Sequence, residues 1–590
     1  MADVSLSPSL FPAPKSITYL AGKCCTDFSE STIPNQFGAR ISSPMVEYQL
    51  RLDLDDQAFG LRISSDLILI QYIDEEGIFY AHQILSQLFA QCGTRLPCLD
   101  LVDQPDFPQR GIILDVSRDK IPTMETLFSL IDFWAKLRIN QLQFYTEHTF
   151  AYQDHRTVWQ GYDPLTPEQI QLLDEYCKER GIELIPNQAT FGHMEKWLCH
   201  SDYHHLAEQT SGFYDQRGDY RPESFGLNPV SPEVPHFIAE LLDELLPNFN
   251  SKTLNINFDE TMDLGVDGSK AACESLGQGQ VYLNYLIELL NIAHDRGMYC
   301  QIFSDMLFRY PEILPHLPKE LELLNWGYEE DHPYDQEHEK LAQFGYPFQV
   351  VVSTNTFASV AGRWQAAKVH MRRAARSALK YGGQGYQISE WGDMGHAQQF
   401  STALPAYVFG AAMAWGEAQH QDVDVSQVLA DFWGNAYHDL TDIMLEMQDA
   451  YLSSGVITPN CAFYGPFVFD QKSRRHIRRA QIESPQVMLR SIEQLNEIEN
   501  RINQHPDRVL KQELLWTLKV MKLATNIAIG YAIHQCREVE AFPVALKHQL
   551  LPLLNEIEAQ YTTLWQQKFR LGGCQQSMAR LHYLKQLLTD

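Results

Sequence analysis

Residues 166–186 read TPEQIQLLDEYCKERGIELIP, a helix and a strand joined by one glycine. Thr166 offers a hydroxyl as helix cap, Pro167 fits the first helical position, and Gln169 completes a capping box. Gly181 ends the helix, and the apolar run Ile182-Glu183-Leu184-Ile185-Pro186 follows at once. A helix feeding directly into a strand is half of a βα repeat, the unit from which parallel sheets are built.

The unit recurs on both sides. Upstream, Gly111 to Val116 reads as a first strand, and the segment from Met124 to Leu137 sets Leu127, Leu130, Ile131 and Trp134 at helical spacing. Gln141 to Tyr145 is the second strand. Downstream, the helix from Ser231 to Leu246 leads into strand four, Thr253 to Phe258. A helix over 280–295 stops at Gly297 and strand five, Tyr299 to Phe303, follows. Leu321 to Trp326, Phe348 to Ser353 and Tyr386 to Glu390 bring the count to eight. Eight βα units predict an α/β fold of the (β/α)8 barrel type over residues 106–424. A doubly wound sheet competes, but no Gly-rich phosphate loop follows the first strand.

The flanks differ. Tyr48 to Leu54 and Leu67 to Tyr72 read as strands and Gly77 to Phe89 as an amphipathic helix, a small α/β domain over 1–105. Residues 425–590 are almost wholly helical in pattern, notably 485–503, 510–537 and 545–567; these stripes are assigned to core, with no chemistry.

Composition narrows the function. In 590 residues, 45% hydrophobic and 11% aromatic content describe a globular chain, and 10 Trp and 27 Tyr suit pockets for sugars as well as large cores. Lys and Arg number 46 against 75 Asp and Glu, and the net charge of −29 disfavours nucleic acid or an anionic membrane as partner. No apolar run approaches the ~20 residues of a membrane span. Met1-Ala2-Asp3-Val4-Ser5-Leu6-Ser7 lacks a basic then apolar leader, and the 11 scattered Cys read as reduced thiols, so the expected location is the cytoplasm.

Polar and aromatic residues gather just past the strands, where parallel α/β folds collect their chemistry. Arg118 follows strand one, Glu147 strand two and His193 strand three. Asp259 and Glu260 end strand four and Asp305 strand five. Trp326 and Tyr328 follow strand six, Asn355 strand seven, and Trp391 and Asp393 strand eight. Carboxylates and Arg pair with hydroxyls while indoles stack on an apolar sugar face, so the set reads as a sugar pocket.

Four stretches resemble glycoside hydrolase family 20, the exo-acting β-N-acetylhexosaminidases. They are Arg110-Gly111-Ile112-Ile113-Leu114-Asp115-Val116-Ser117-Arg118, Asn257-Phe258-Asp259-Glu260, Gly192-His193, and the segment from Glu75 to Leu88, similar to the end of the family's small N-terminal (zincin-like) domain. The resemblance covers roughly residues 40–420. It implies removal of terminal β-linked GlcNAc or GalNAc from an oligosaccharide or glycoconjugate, without cofactor or metal. The substrate's own acetamido group acts as nucleophile, Glu260 is the general acid/base, and Asp259 orients the acetamido N–H. Arg118 matches the ligand of the C3 and C4 hydroxyls.

The departures are as specific. Strand two carries Phe144-Tyr145-Thr146-Glu147-His148 where family members have a His-rich motif ending in paired Asp. The family's strand-seven Tyr has no counterpart in Ser353-Thr354-Asn355-Thr356-Phe357, and Tyr328 is the substitute. Trp391-Gly392-Asp393 stands for Trp-x-Glu. These changes imply a divergent branch with an altered pocket. A metal-dependent barrel hydrolase is the first rival, and strand one opposes it by ending in Ser117-Arg118 rather than a ligand pair. A non-catalytic sugar-binding barrel is the second, and the Asp259-Glu260 pair opposes it. The C-terminal helices have two roles open to them, covering the pocket or forming a homodimer interface.

Overall fold

The computed structural model describes residues 8–215, 217–506 and 509–589. Met1 to Ser7, on which the leader reading rests, lie outside the described residues. Eight parallel strands form one sheet: Gln109–Asp115, Gln141–Tyr145, Glu183–Ile185, Thr253–Asn255, Tyr299–Phe303, Glu322–Trp326, Phe348–Ser353 and Gly385–Glu390. We number them one to eight. Strand eight pairs with strand one. Between strands three and four, Asn187 bridges Asn255, and the Asn255 N–H donates to Pro186 O at 3.0 Å, closing the (β/α)8 barrel.

Helix Pro167–Lys178 carries the expected capping box, with Thr166 and Gln169 reciprocally bonded. Helix Met124–Lys136 is capped by Thr123 and turns its apolar stripe onto the barrel. Leu127 and Ile131 are fully buried there, each contributing roughly 1.5–3 kcal/mol of transfer free energy.

The barrel interior is not the usual layering of branched aliphatics. Amides fill much of it: Gln143 Nε2 donates to Gln301 Oε1 at 2.9 Å, while Asn187 and Asn255 each donate to Gln143 Oε1 at 2.9 Å. Gln387 Nε2 donates to Gln141 at 2.8 Å and to Gln349 at 2.5 Å. The shared hydrogen bonds offset much of the cost of burying these amides, although Gln349 Nε2 and Gln387 Oε1 are left without a partner among the described residues. Gly111 makes room for it, since a Cβ there would lie 1.7 Å from Gln387 Oε1.

Before the barrel, a five-stranded mixed sheet has the order Ser16–Cys25, Arg95–Asp103, Phe59–Ile63, Ile68–Tyr72, Val46–Leu50, with helix Glu75–Cys92 against it. Three of these strands escape the sequence reading. This sheet is joined to the barrel by buried arginines: Arg138 pairs with Asp103 at 2.7 Å with both side chains fully buried, and Arg110 donates to Tyr80 Oη at 2.6 Å. After the barrel come helices including Pro485–Gln504, Val509–His534, Val544–Lys568 and Cys574–Thr589. They dock on the loop after strand one, where the Thr123 N–H donates to Lys568 O at 2.9 Å and the Arg570 N–H to Ile121 O at 2.8 Å. No described helix is long and apolar enough to cross a membrane. All 11 cysteines are free thiols.

Candidate active site

Strand four stops at Asn255, three residues short of the predicted Phe258. The cause is local: Asn257 (φ 62°), Phe258 (φ 68°) and Glu260 (φ 46°) all adopt left-handed backbone. Each such residue costs on the order of 1–3 kcal/mol and persists only where its surroundings hold it. Here Asn257 Nδ2 donates to Asn187 Oδ1 at 2.9 Å and the Phe303 N–H donates to Asn257 O at 2.8 Å. Tyr282 Oη donates to Phe258 O at 3.0 Å, and the Glu260 N–H to Asp305 Oδ2 at 3.0 Å. The Phe258 ring stacks on Tyr285 at 5.5 Å. The turn presents Asp259 and Glu260 together at the C-terminal mouth of the barrel.

Gly192 permits this arrangement. A Cβ at that position would come 2.8 Å from Asp259 O and 3.2 Å from the Phe225 ring. The next residue, His193 (φ 59°), turns its ring onto the acids, with Nε2 3.4 Å from Asp259 Oδ2 and 3.5 Å from Glu260 Oε2. Both contacts are too oblique to count as hydrogen bonds. Burial and Arg118 oppose a charge on His193, but Asp259 and Glu260 win and raise its pKa to about 10.

These groups line a cavity of about 450 Å³. On its floor Arg118 sits 3.0 Å from Asp115 and 3.2 Å from Glu147, with its guanidinium 4.5 Å from the Tyr145 ring centroid. Burial disfavours its charge, yet Asp115, Glu147 and Tyr145 hold its pKa well above the usual range. Trp391 packs edge-on against Tyr145 at 5.1 Å, and its Nε1–H donates to Tyr328 Oη at 2.9 Å. Trp326 stacks on Tyr328 at 5.3 Å. Burial, ahead of the charges of Asp259 and Glu260, pushes the pKa of Asp305, a third carboxyl, above the usual carboxylate range.

Of the residues expected at the site, Arg118, His193, Asp259, Glu260, Trp326, Tyr328, Trp391 and Asp393 all line this cavity. Two of the expected residues, Glu147 and Asn355, stand outside this lining. Glu147 is buried behind Arg118, and burial pushes its pKa up to about 7; it braces the guanidinium rather than facing the pocket. Asn355 is fully buried, and its Nδ2 donates to Tyr328 O at 3.1 Å. It fixes the backbone of Tyr328 from behind the wall.

The sequence reading missed more than it misplaced. Arg217 and Arg221 reach the cavity from the long loop after strand three, and Asp470, Arg475, His476, Arg479 and Arg580 reach it from the C-terminal region that was assigned only core. One signal was available: Arg474-Arg475-His476-Ile477-Arg478-Arg479 is a basic run in a strongly acidic chain.

A (β/α)8 barrel with a charged, indole-walled pocket at the C-terminal ends of its strands has the architecture of a barrel enzyme. Sequence comparison makes the assignment specific. The profile of "Glycosyl hydrolase family 20, catalytic domain" matches residues 107–430, more than half of the chain, and the protein belongs to that family. The chain is 23% identical over 217 residues to the β-hexosaminidase subunit beta of Felis catus, covering 35% of this chain and 40% of that one. It is 26% identical over 271 residues to a β-hexosaminidase of Vibrio furnissii, covering 38% and 40%. The matched stretches thus span less than half the length of these curated relatives. Among solved structures, the exo-β-N-acetylglucosaminidase of Vibrio harveyi aligns over 75% of this chain and 78% of its own, with TM-score 0.56 and 17% identity. Flavobacterium johnsoniae chitobiase aligns over 98% and 99%, with TM-score 0.57 and 15% identity, so its fold follows this chain through the C-terminal helices as well.

Proposed function

We propose that the protein is an exo-acting, retaining β-N-acetylhexosaminidase that removes terminal β-linked GlcNAc or GalNAc through its substrate's acetamido group. The observation that carries the reading is the Asp259-Glu260 turn, whose two carboxylates both approach one nitrogen of His193. Carboxylates placed side by side suit a substrate-assisted mechanism better than a nucleophile and an acid facing each other across the sugar.

In this reading the terminal sugar lies on the floor, its hydroxyls to Arg118 and Asp393 and its apolar face to Trp391. Asp259, with a side chain 15% exposed, accepts the acetamido N–H. The acetamido carbonyl oxygen attacks C1 and the glycosidic C1–O bond breaks. Glu260, 35% exposed and so facing outward, gives its proton to the leaving oxygen. Asp259 stabilises the oxazolinium cation that results. Water then attacks C1 as Glu260 takes its proton, the C1–O bond to the acetamido oxygen breaks and restores the acetamido group, and the anomeric configuration is retained. Tyr328 supplies the donor to the acetamido carbonyl: its oxygen already accepts from Trp391, and burial raises its pKa so that the hydroxyl keeps its proton.

The test compares 4-nitrophenyl β-N-acetylglucosaminide with the β-glucoside, for wild type and Glu260→Gln. We expect turnover of the acetamido substrate alone, falling by ~10²–10⁴-fold in the variant. Equal turnover of the plain glucoside contradicts acetamido participation.

A further inference from the structure

The basic run that the sequence reading left unused meets the loop after strand three at the cavity mouth. Arg217 and Arg221 come from the loop, Arg475 and Arg479 from the C-terminal region, and all four line the cavity. Two carboxylates pair with them, and Asp470, which also lines the cavity, favours the charge of Arg475. Asp215 lies 3.2 Å from Arg221 and 3.9 Å from Arg475, and Asp219 lies 2.5 Å from Arg479. The acids sit behind the cations: the Asp215 and Asp219 side chains are 2% and 13% exposed, against 32% and 33% for Arg475 and Arg479. Asp215 is further occupied by the backbone N–H groups of Arg217 and Asp219, each at 3.0 Å.

A staple between loop and C-terminal region needs only the Arg479–Asp219 pair, and the Arg221–Asp215 pair closes within the loop itself. Arg217 has no carboxylate partner among the described residues. Arg475 stands at the limit of ion pairing, and burial followed by the charge of Arg221 pushes its pKa down. Like charges crowded at a mouth cost free energy that an incoming anion relieves. Guanidinium forks suit the planar or tetrahedral oxygens of such a group. In a chain of net charge −29, which repels anions at long range, a cationic mouth is a local selector.

Its position indicates which part of a substrate it meets. The Arg221 guanidinium lies 5.3 Å from the Phe225 ring, Phe225 lies 5.0 Å from His193, and His193 touches Glu260. His193 also contacts Asp259 and Arg118, but the Arg475 and Arg479 side chains, 32% and 33% exposed, share the solvent side with Glu260 at 35% rather than with Asp259 at 15% and Arg118 at 20%. We propose that these arginines form a subsite for an anionic group, a sulfate ester or a carboxylate, on the leaving portion of the substrate. This rests on the proposed activity, because that reading sets which end of the substrate leaves past Glu260.

The experiment uses three disaccharides of one linkage, each with terminal β-GlcNAc: a neutral parent, one sulfated on the second sugar, and one with a uronic acid there. For the wild type at low salt, kcat/KM for at least one acidic substrate should exceed that for the parent by ~10-fold. The preference should shrink as salt screens the arginines, and Arg217→Gln/Arg475→Gln should bring the ratio close to one. Which acidic substrate is favoured identifies the anion. Wild-type hydrolysis of the neutral parent as fast as both acidic substrates, or a ratio unchanged in the double variant, overturns the subsite and leaves the activity standing. Should no disaccharide be hydrolysed, the proposed activity fails and calorimetric titration with the same three ligands decides. Tighter binding of an acidic ligand, lost in the double variant, supports the subsite; equal binding overturns it.

Discussion

At the scale of single residues, His193 sets the electrostatics of the site. Its imidazolium faces both carboxylates from within 3.5 Å. Replacing it with glutamine should lower kcat/KM by ~10-fold, since the ring positions both acids. Stability gives an independent readout. A folded-state pKa raised from 6.5 to about 10 means that the stabilising contribution of His193 is complete below pH 6.5 and lost as pH rises through 10. Wild type should therefore lose more of its melting temperature between pH 6.5 and 10.5 than His193→Gln does. An unchanged kcat/KM with parallel melting curves would contradict this role. Arg118, His193 and the acid pair were legible in the sequence because short motifs at strand ends mark them. Glu147 and Asn355 stand behind the lining, because a residue just past a strand can point into the pocket or behind its wall. Chain position alone does not distinguish the two.

At the scale of elements, the acid turn explains why strand four was predicted too long. Alternating apolar residues from Leu254 to Phe258 look like a strand, but tertiary hydrogen bonds, donated by Tyr282 and accepted by Asn187 and Asp305, hold left-handed backbone that no local preference announces. The Gly192 element on the facing side is part of the same device. Gly192→Ala places a methyl 2.8 Å from Asp259 O, and because that contact is with backbone the turn itself must shift. We expect kcat/KM to fall by ~10²-fold with a cooperative melt retained, as displacing catalytic groups by ~1 Å commonly does. Steady-state kinetics with a melting curve checks this, and full activity in the variant would mean that the turn has slack. Elements with strong local signals, such as the capped helix Pro167–Lys178 and strand two, Gln141–Tyr145, form where the sequence predicts them.

For the whole molecule, the barrel was readable because eight repeats of one pattern reinforce one another. The amide-filled interior was written in the strands as Gln141, Gln143, Gln301, Gln349 and Gln387, yet which face of a strand points inward is a property of the closed barrel. The contribution of residues 460–580 to the pocket was hidden for a related reason. Their helical stripes serve a core, and the few side chains that escape it meet the barrel mouth across several hundred residues of chain. The floor, the acid turn and this rim together make one cavity, in which we propose that the substrate's acetamido group attacks C1. Rates for aryl β-glucosaminides with N-acetyl, N-fluoroacetyl, N-difluoroacetyl and N-trifluoroacetyl groups probe this attack, because each fluorine withdraws electrons from the attacking carbonyl oxygen. We expect kcat/KM to fall steeply at every step of the series; equal rates across it would rule out acetamido attack and require a protein carboxylate as nucleophile.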